Sequence, residues 1–64
     1  MSLIERVENY PSAITVEKLA ELTSISAKTI YRHIRTKKLL AFRIGGLIRL
    51  DPETTATWLR SRLG

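Results

Sequence analysis

The sequence predicts a mainly α-helical chain that carries one small β-hairpin. Three observations predict it. Two short amphipathic stretches, starting at Val16 and at Ala27, are separated only by a tight segment rich in serine and threonine. A glycine pair, Gly45-Gly46, stands between two β-rich runs. Asp51-Pro52 then opens a further helical stretch. Together these describe a helix-turn-helix followed by a wing. At 64 residues the chain holds one hydrophobic core, so a single domain over 1–64 is expected, with nearly every large apolar residue needed for that core.

A short helix is expected over 2–9. Ser2 and Glu5 have capping-box spacing, Leu3, Ile4 and Val7 make one stripe, and Tyr10-Pro11 ends it because proline drives the preceding residue out of the α region. The helix-turn-helix is expected over 15–37. Thr15 caps its first helix, Glu17 suits the positive pole, and Val16, Leu19 and Ala20 form the buried side. That helix should stop near Leu22, where Thr23, Ser24 and Ser26 compete for backbone hydrogen bonds and Ser26 caps the next helix. The second helix is expected from Ala27 to about Lys37, with Ala27, Ile30 and Ile34 on one side and Lys28, Tyr31, Arg32 and Arg35 on the other. His33 is read as a surface residue on its flank that can touch a phosphate. Lys37 and Lys38 suit the negative pole and also serve as backbone contacts. The wing hairpin is expected over 40–50, because a two-residue turn between twisted strands needs φ > 0 and glycine supplies it. The last helix is expected over 52–63, with Asp51 as N-cap, an inner stripe of Ala56, Leu59 and Leu63, Trp58 flanking it, and Gly64 ending the chain.

Composition narrows the function. There is no cysteine, which removes disulfides, thiolate zinc sites and a cysteine nucleophile together. The one histidine has no second ligand type beside it, no serine lies in a nucleophile motif, and no glycine loop has phosphate-binding spacing, so neither an enzyme nor a cofactor or metal is expected. The longest apolar run, Leu39 to Phe42, is far short of the roughly 18 residues of a membrane span, and the N-terminal stretch lacks the apolar core of a signal peptide. A cytoplasmic protein, nucleoid-associated when bound to DNA, is the expectation. The net charge is +5 and its distribution is uneven: no acid lies between Glu21 and Asp51, whereas Lys28, Arg32, Arg35, Lys37, Lys38, Arg43 and Arg49 all do. Such a block is the footprint of a phosphate-backbone binder. A major groove admits one α-helix, and an arginine reaching from it bonds a guanine edge bidentately, so double-stranded DNA is the expected partner.

The runs Ile14 to Leu22, Ile25 to Ile34 and Phe42 to Gly46, with Trp58-Leu59, resemble the excisionase-type helix-turn-helix domains of the wider MerR-like winged-helix group. The Thr-Ile-Tyr-Arg step and the Arg-Ile-Gly-Gly hairpin carry most of the resemblance, which covers Ile14 to Leu59 and leaves out the N-terminal helix. It implies that Ser26, Lys28, Thr29, Tyr31, Arg32 and Arg35 face the major groove and that Arg43 and Arg49 are wing contacts. Two departures stand out. Thr23-Ser24 replaces the usual Leu-Gly of the turn, which asks Ser24 for a left-handed conformation costing on the order of 1 kcal/mol. Leu47 stands where a basic residue commonly follows the glycines. The resemblance implies either a recombination directionality factor or a small transcriptional regulator, with an integrase or recombinase, or neighbouring copies on DNA, as further partners. A monomer in dilute solution is expected, because Pro52 to Gly64 offers fewer than two of the three to four heptads a coiled coil needs. The alternative is a protein interaction module that keeps the winged fold and uses Phe42, Ile44 and Leu47 as an apolar patch. RNA binding is the weaker third reading, since Tyr31 alone makes no aromatic platform.

Overall fold

A computed structural model describes residues 2–63, with side chains through Arg62. Helices α1 (Leu3–Glu8), α2 (Val16–Thr23) and α3 (Ala27–Arg35) precede strands β1 (Phe42–Ile44) and β2 (Leu47–Arg49), and α4 (Pro52–Leu63) follows. This is a mainly helical winged helix-turn-helix. Side chains set the helix starts. Ser2 and Glu5 form a reciprocal capping box on α1, and Thr15 Oγ1 accepts the Lys18 N–H at 2.9 Å on α2. Ser26 Oγ accepts from the Thr29 N–H on α3, and Asp51 Oδ2 accepts from the Thr54 N–H at 2.9 Å on α4. Each cap satisfies one of the donors that a helix N-terminus otherwise leaves unpaired.

Only three residues separate α2 from α3. Thr23 Oγ1 donates to the Leu19 carbonyl and accepts from the Ile25 N–H, while Ser24 takes the left-handed conformation at φ 61° and donates its N–H to the Ala20 carbonyl at 2.8 Å. The chain therefore reverses without glycine. α3 ends at Arg35, two residues before the expected Lys37. Thr36 Oγ1 donates back to the Arg32 carbonyl, and Lys37 turns left-handed at φ 65°, a conformation that cannot continue a right-handed helix.

In the wing, Gly45 and Gly46 have φ of 55° and 85°, the pair of positive values that a type I′ turn demands. Phe42 pairs with Arg49, Arg43 with Ile48, and Ile44 with Leu47. Because opposed residues share a face and successive ones alternate, Phe42, Ile44, Leu47 and Arg49 lie on one side of the hairpin and Arg43 with Ile48 on the other. An antiparallel bridge outside the hairpin ties the wing to the helices: Ile14 N–H donates to Leu50 O at 2.9 Å and Leu50 N–H to Ile14 O at 2.8 Å.

The core collects Val7 of α1, Val16 and Leu19 of α2, Ile30 of α3, the bridge residues Ile14 and Leu50, Leu39, and Ala56, Trp58 and Leu59 of α4. Packed against it are Ile4, Ala27, Ile34 and Ile48. Glu8 and Arg60 add a bidentate ion pair between α1 and α4 at 2.8 and 3.2 Å. The side chain of Leu63, expected on the inner stripe of α4, and Gly64 lie outside the described residues. Two sequence readings are corrected here. His33 is not on the surface of α3: it is 7% exposed, with its ring edge-on to Trp58 at 5.5 Å between centroids. Trp58 does not merely flank the core but is buried in it, with the Arg62 guanidinium over its ring.

Candidate nucleic-acid interface

The periodicity of α3 decides which of its side chains are free. Ile30 is fully buried, with Ala27, Ile34 and His33 beside it on the inward side, and one helical turn is about 3.6 residues, so Lys28, Arg32 and Arg35 fall together on the opposite side. All three are exposed. Lys28 to Arg35 spans about 10 Å of helix axis at 1.5 Å per residue, which matches about three base steps at 3.4 Å. Arg32 stands near the middle of this face.

The flanks differ in availability. Ser26 Oγ, besides capping the helix, donates to Thr29 Oγ1 at 2.9 Å, so both hydroxyls are locally engaged in the free protein. On the other flank the Tyr31 hydroxyl donates to Glu17 Oε2 of α2 at 3.2 Å. Burial, then the Glu17 charge and this hydrogen bond, raise the Tyr31 pKa above its ordinary value, so the phenol stays protonated and remains a donor. Glu17 is an acid that tertiary structure brings beside a helix whose own outward face carries only cations.

Beyond α3, an open groove of about 850 Å³ separates the helix from the wing. Tyr31, Arg35, Lys37 and Arg43 form its polar lining, and Ile34, Ala41, Phe42 and Ile48 its apolar part. Three cations from α3, the following turn and β1 thus converge on one concavity, and no acid lines it among the described residues. Arg43 Nη1 donates to the Gly46 carbonyl at 3.4 Å, which leaves most of its guanidinium donors free. Lys38 is exposed but does not line the groove, and Arg49 is half-buried with Nη1 donating to the Ile48 carbonyl at 2.8 Å. Leu47, at the position after the glycines, is 57% exposed and shares its hairpin face with Ile44 at 59% and Phe42 at 41%.

Sequence reasoning missed Glu17 and the apolar lining of the groove. Neither has a local signal, since Glu17 meets Tyr31 across 14 residues of chain. The burial of His33 did have one: it lies three residues after Ile30, which places it on the inward half of the helix. Among the described residues no group of three or more histidine, aspartate or glutamate side chains could hold a metal, and no helix is long and apolar enough to cross a membrane.

Compared with known proteins, residues 13–63 match a family model described as a helix-turn-helix domain. The match begins after α1 and runs through the turn, the wing and α4. No curated protein and no solved structure gives a significant match to the chain.

Proposed function

The chain belongs to the helix-turn-helix domain family in its winged form, and from that premise we propose that it is a non-enzymatic protein that binds double-stranded DNA sequence-specifically. The observation that carries this reading is the outward face of α3, where exposed Lys28, Arg32 and Arg35 stand in a row with only cations among them. In the proposed complex α3 enters the major groove and Arg32 reads a base edge. Lys28 and Arg35 flank it, and Ser26, Thr29 and Tyr31 contact the groove walls. Lys37, Lys38, Arg43 and Arg49 neutralise backbone phosphates.

The biological job is that of an excisionase-type recombination directionality factor or a small transcriptional regulator. Both use the same reading helix and differ in what they recruit, an integrase or recombinase in the first case and the transcription machinery in the second, with neighbouring copies on DNA available to either. The reading includes a cytoplasmic protein that is monomeric in dilute solution. Supporting the monomer, Ala56, Trp58 and Leu59 of α4 are all buried within the domain, so no apolar stripe of that helix is offered to a second copy by these residues.

The test is fluorescence anisotropy on a selected duplex and a scrambled one over a range of salt. If four to six of the cations touch phosphate, the log-log slope is about −4 to −5, at roughly 0.9 per contact. Arg32→Ala should cost about 1–3 kcal/mol on the selected duplex and little on the scrambled one, whereas Lys38→Ala should weaken both alike and lower the slope by about one. Equal loss on both duplexes for Arg32→Ala would make Arg32 a backbone contact. A slope near zero for the wild type would remove DNA from the reading. The exposed Phe42, Ile44 and Leu47 face favours the second reading, a winged module that binds another protein through its wing.

A further inference from the structure

Lys37 occupies a backbone position that suits glycine. Its φ is 65°, and it sits at the junction where α3 terminates: Lys37 N–H donates to the Ile34 carbonyl at 3.1 Å and Lys38 N–H to the His33 carbonyl at 2.9 Å. That pair of bonds is the Schellman closure, in which the left-handed residue is usually glycine because any Cβ there crowds the following carbonyl. The negative pole of α3 favours a cation in this stretch but does not require it at the left-handed residue. Positive charge at the end of α3 is already supplied by Arg35 and Lys38, neither of which has a positive φ.

What distinguishes Lys37 is the surface it belongs to. It lines the groove between α3 and the wing together with Tyr31, Arg35 and Arg43, and Ile34 and Phe42 are among the apolar residues of the same lining. The groove runs between the helix assigned to the major groove and the hairpin beside it, so it lies where one DNA strand must pass. Its chemistry fits that strand: cations from three successive elements for phosphate oxygens, and apolar surface for deoxyribose. We propose that Lys37 is kept in a strained, glycine-type conformation because this directs its ammonium into the groove, where it clamps the phosphodiester backbone of one DNA strand. The inference rests on the DNA-binding reading above. Ser24, the other non-glycine residue with positive φ among the described residues, does not line this groove.

The test compares the wild type with Lys37→Gly and Lys37→Arg, by thermal melting without DNA and by anisotropy on two unrelated duplexes across salt. Lys37→Gly should melt several degrees higher, because the strain is relieved. It should also bind both duplexes about five- to tenfold more weakly near 0.1 M salt, with the log-log slope smaller by about 0.9. Lys37→Arg should keep the wild-type melting temperature, affinity and slope. If Lys37→Gly binds with unchanged affinity and slope while the wild type shows its full salt dependence, the clamp is wrong and the DNA-binding reading stands. If Lys37→Gly melts no higher than the wild type, the strain argument fails whatever the binding result. A wild type without salt-dependent duplex binding overturns both readings together.

Discussion

Replacing Ser24 with glycine should make this protein more stable, and the size of the gain can be worked out. Ser24 holds φ 61° and ψ 15° in the turn between α2 and α3. For a residue with a Cβ this conformation costs about 1–2 kcal/mol, while glycine forfeits about 0.5–1 kcal/mol through the greater freedom of its unfolded chain. The net gain is about 0.5–1 kcal/mol. The bonds that define the turn, from Ser24 N–H to the Ala20 carbonyl and from Ile25 N–H to Thr23 Oγ1, do not use the serine side chain, so nothing else is lost. An unfolding entropy of about 2.1 cal/mol/K per residue amounts to about 0.13 kcal/mol/K for a chain of this length, so Tm should rise by about 4–7 °C. Calorimetry or circular dichroism melts of Ser24→Gly against the wild type read this directly. Ser24→Ala is the control, since alanine keeps the Cβ and should bring no gain. A Tm for Ser24→Gly at or below the wild type, or an equal rise for Ser24→Ala, would refute the view that the backbone at Ser24 is strained.

Two further predictions concern His33 and Leu47. Burial first, then the charges of Arg62, Arg32 and Lys38, push the His33 pKa below its ordinary value, so His33 is neutral in the folded protein at pH 7. The unfolded chain takes up this proton near pH 6.5 and the folded one only at lower pH, so the contribution of His33 is complete above about 6.5 and declines as pH falls towards the folded value. His33→Leu should flatten that part of a stability-versus-pH curve. It should leave the separate fall at lower pH, where the carboxylates of Glu5, Glu8 and Asp51, held below their usual range by hydrogen bonds from Ser2, Arg60 and Thr54, become protonated. An unchanged curve above pH 5 would clear His33 of the role. Because Leu47 is mostly exposed, Leu47→Arg should leave Tm within about a degree or two and strengthen binding to random duplex DNA several-fold. A drop in Tm of many degrees would instead make Leu47 a packing residue.

The winged helix-turn-helix was legible in the chain because its decisive signals are local. Ser2, Thr15, Ser26 and Asp51 cap helices through bonds that reach no further than three residues, and Gly45-Gly46 satisfies a turn that depends only on its own φ values. The outward placement of Lys28, Arg32 and Arg35 was legible for the same reason, since the helical period follows from the apolar residues of the same segment. The left-handed Ser24 was anticipated as well, though only through the resemblance, in which a glycine usually stands at this place in the turn.

Only the tertiary structure decided the rest. The helical period puts His33 on the inward half of α3, but its partner Trp58, 25 residues further along the chain, is met only in the packed structure, and no local pattern encodes that meeting. Glu17 reaches Tyr31, and Ile14 bridges Leu50, through the packing of whole elements. The groove exists only as the space left between α3 and the wing, so its lining is set by the angle at which two rigid pieces are held by the core beneath them. Lys37 shows the boundary between the two kinds of information. The sequence by itself determined that a lysine follows Thr36 at the end of a basic helix, and dipole arguments accounted for its charge. Burial of Leu39 just beyond it offsets about 1 kcal/mol of local strain at the left-handed Lys37, and only the placement of α3 beside the wing creates the groove that Lys37 lines, because neither the buried contact nor the groove exists within the local segment.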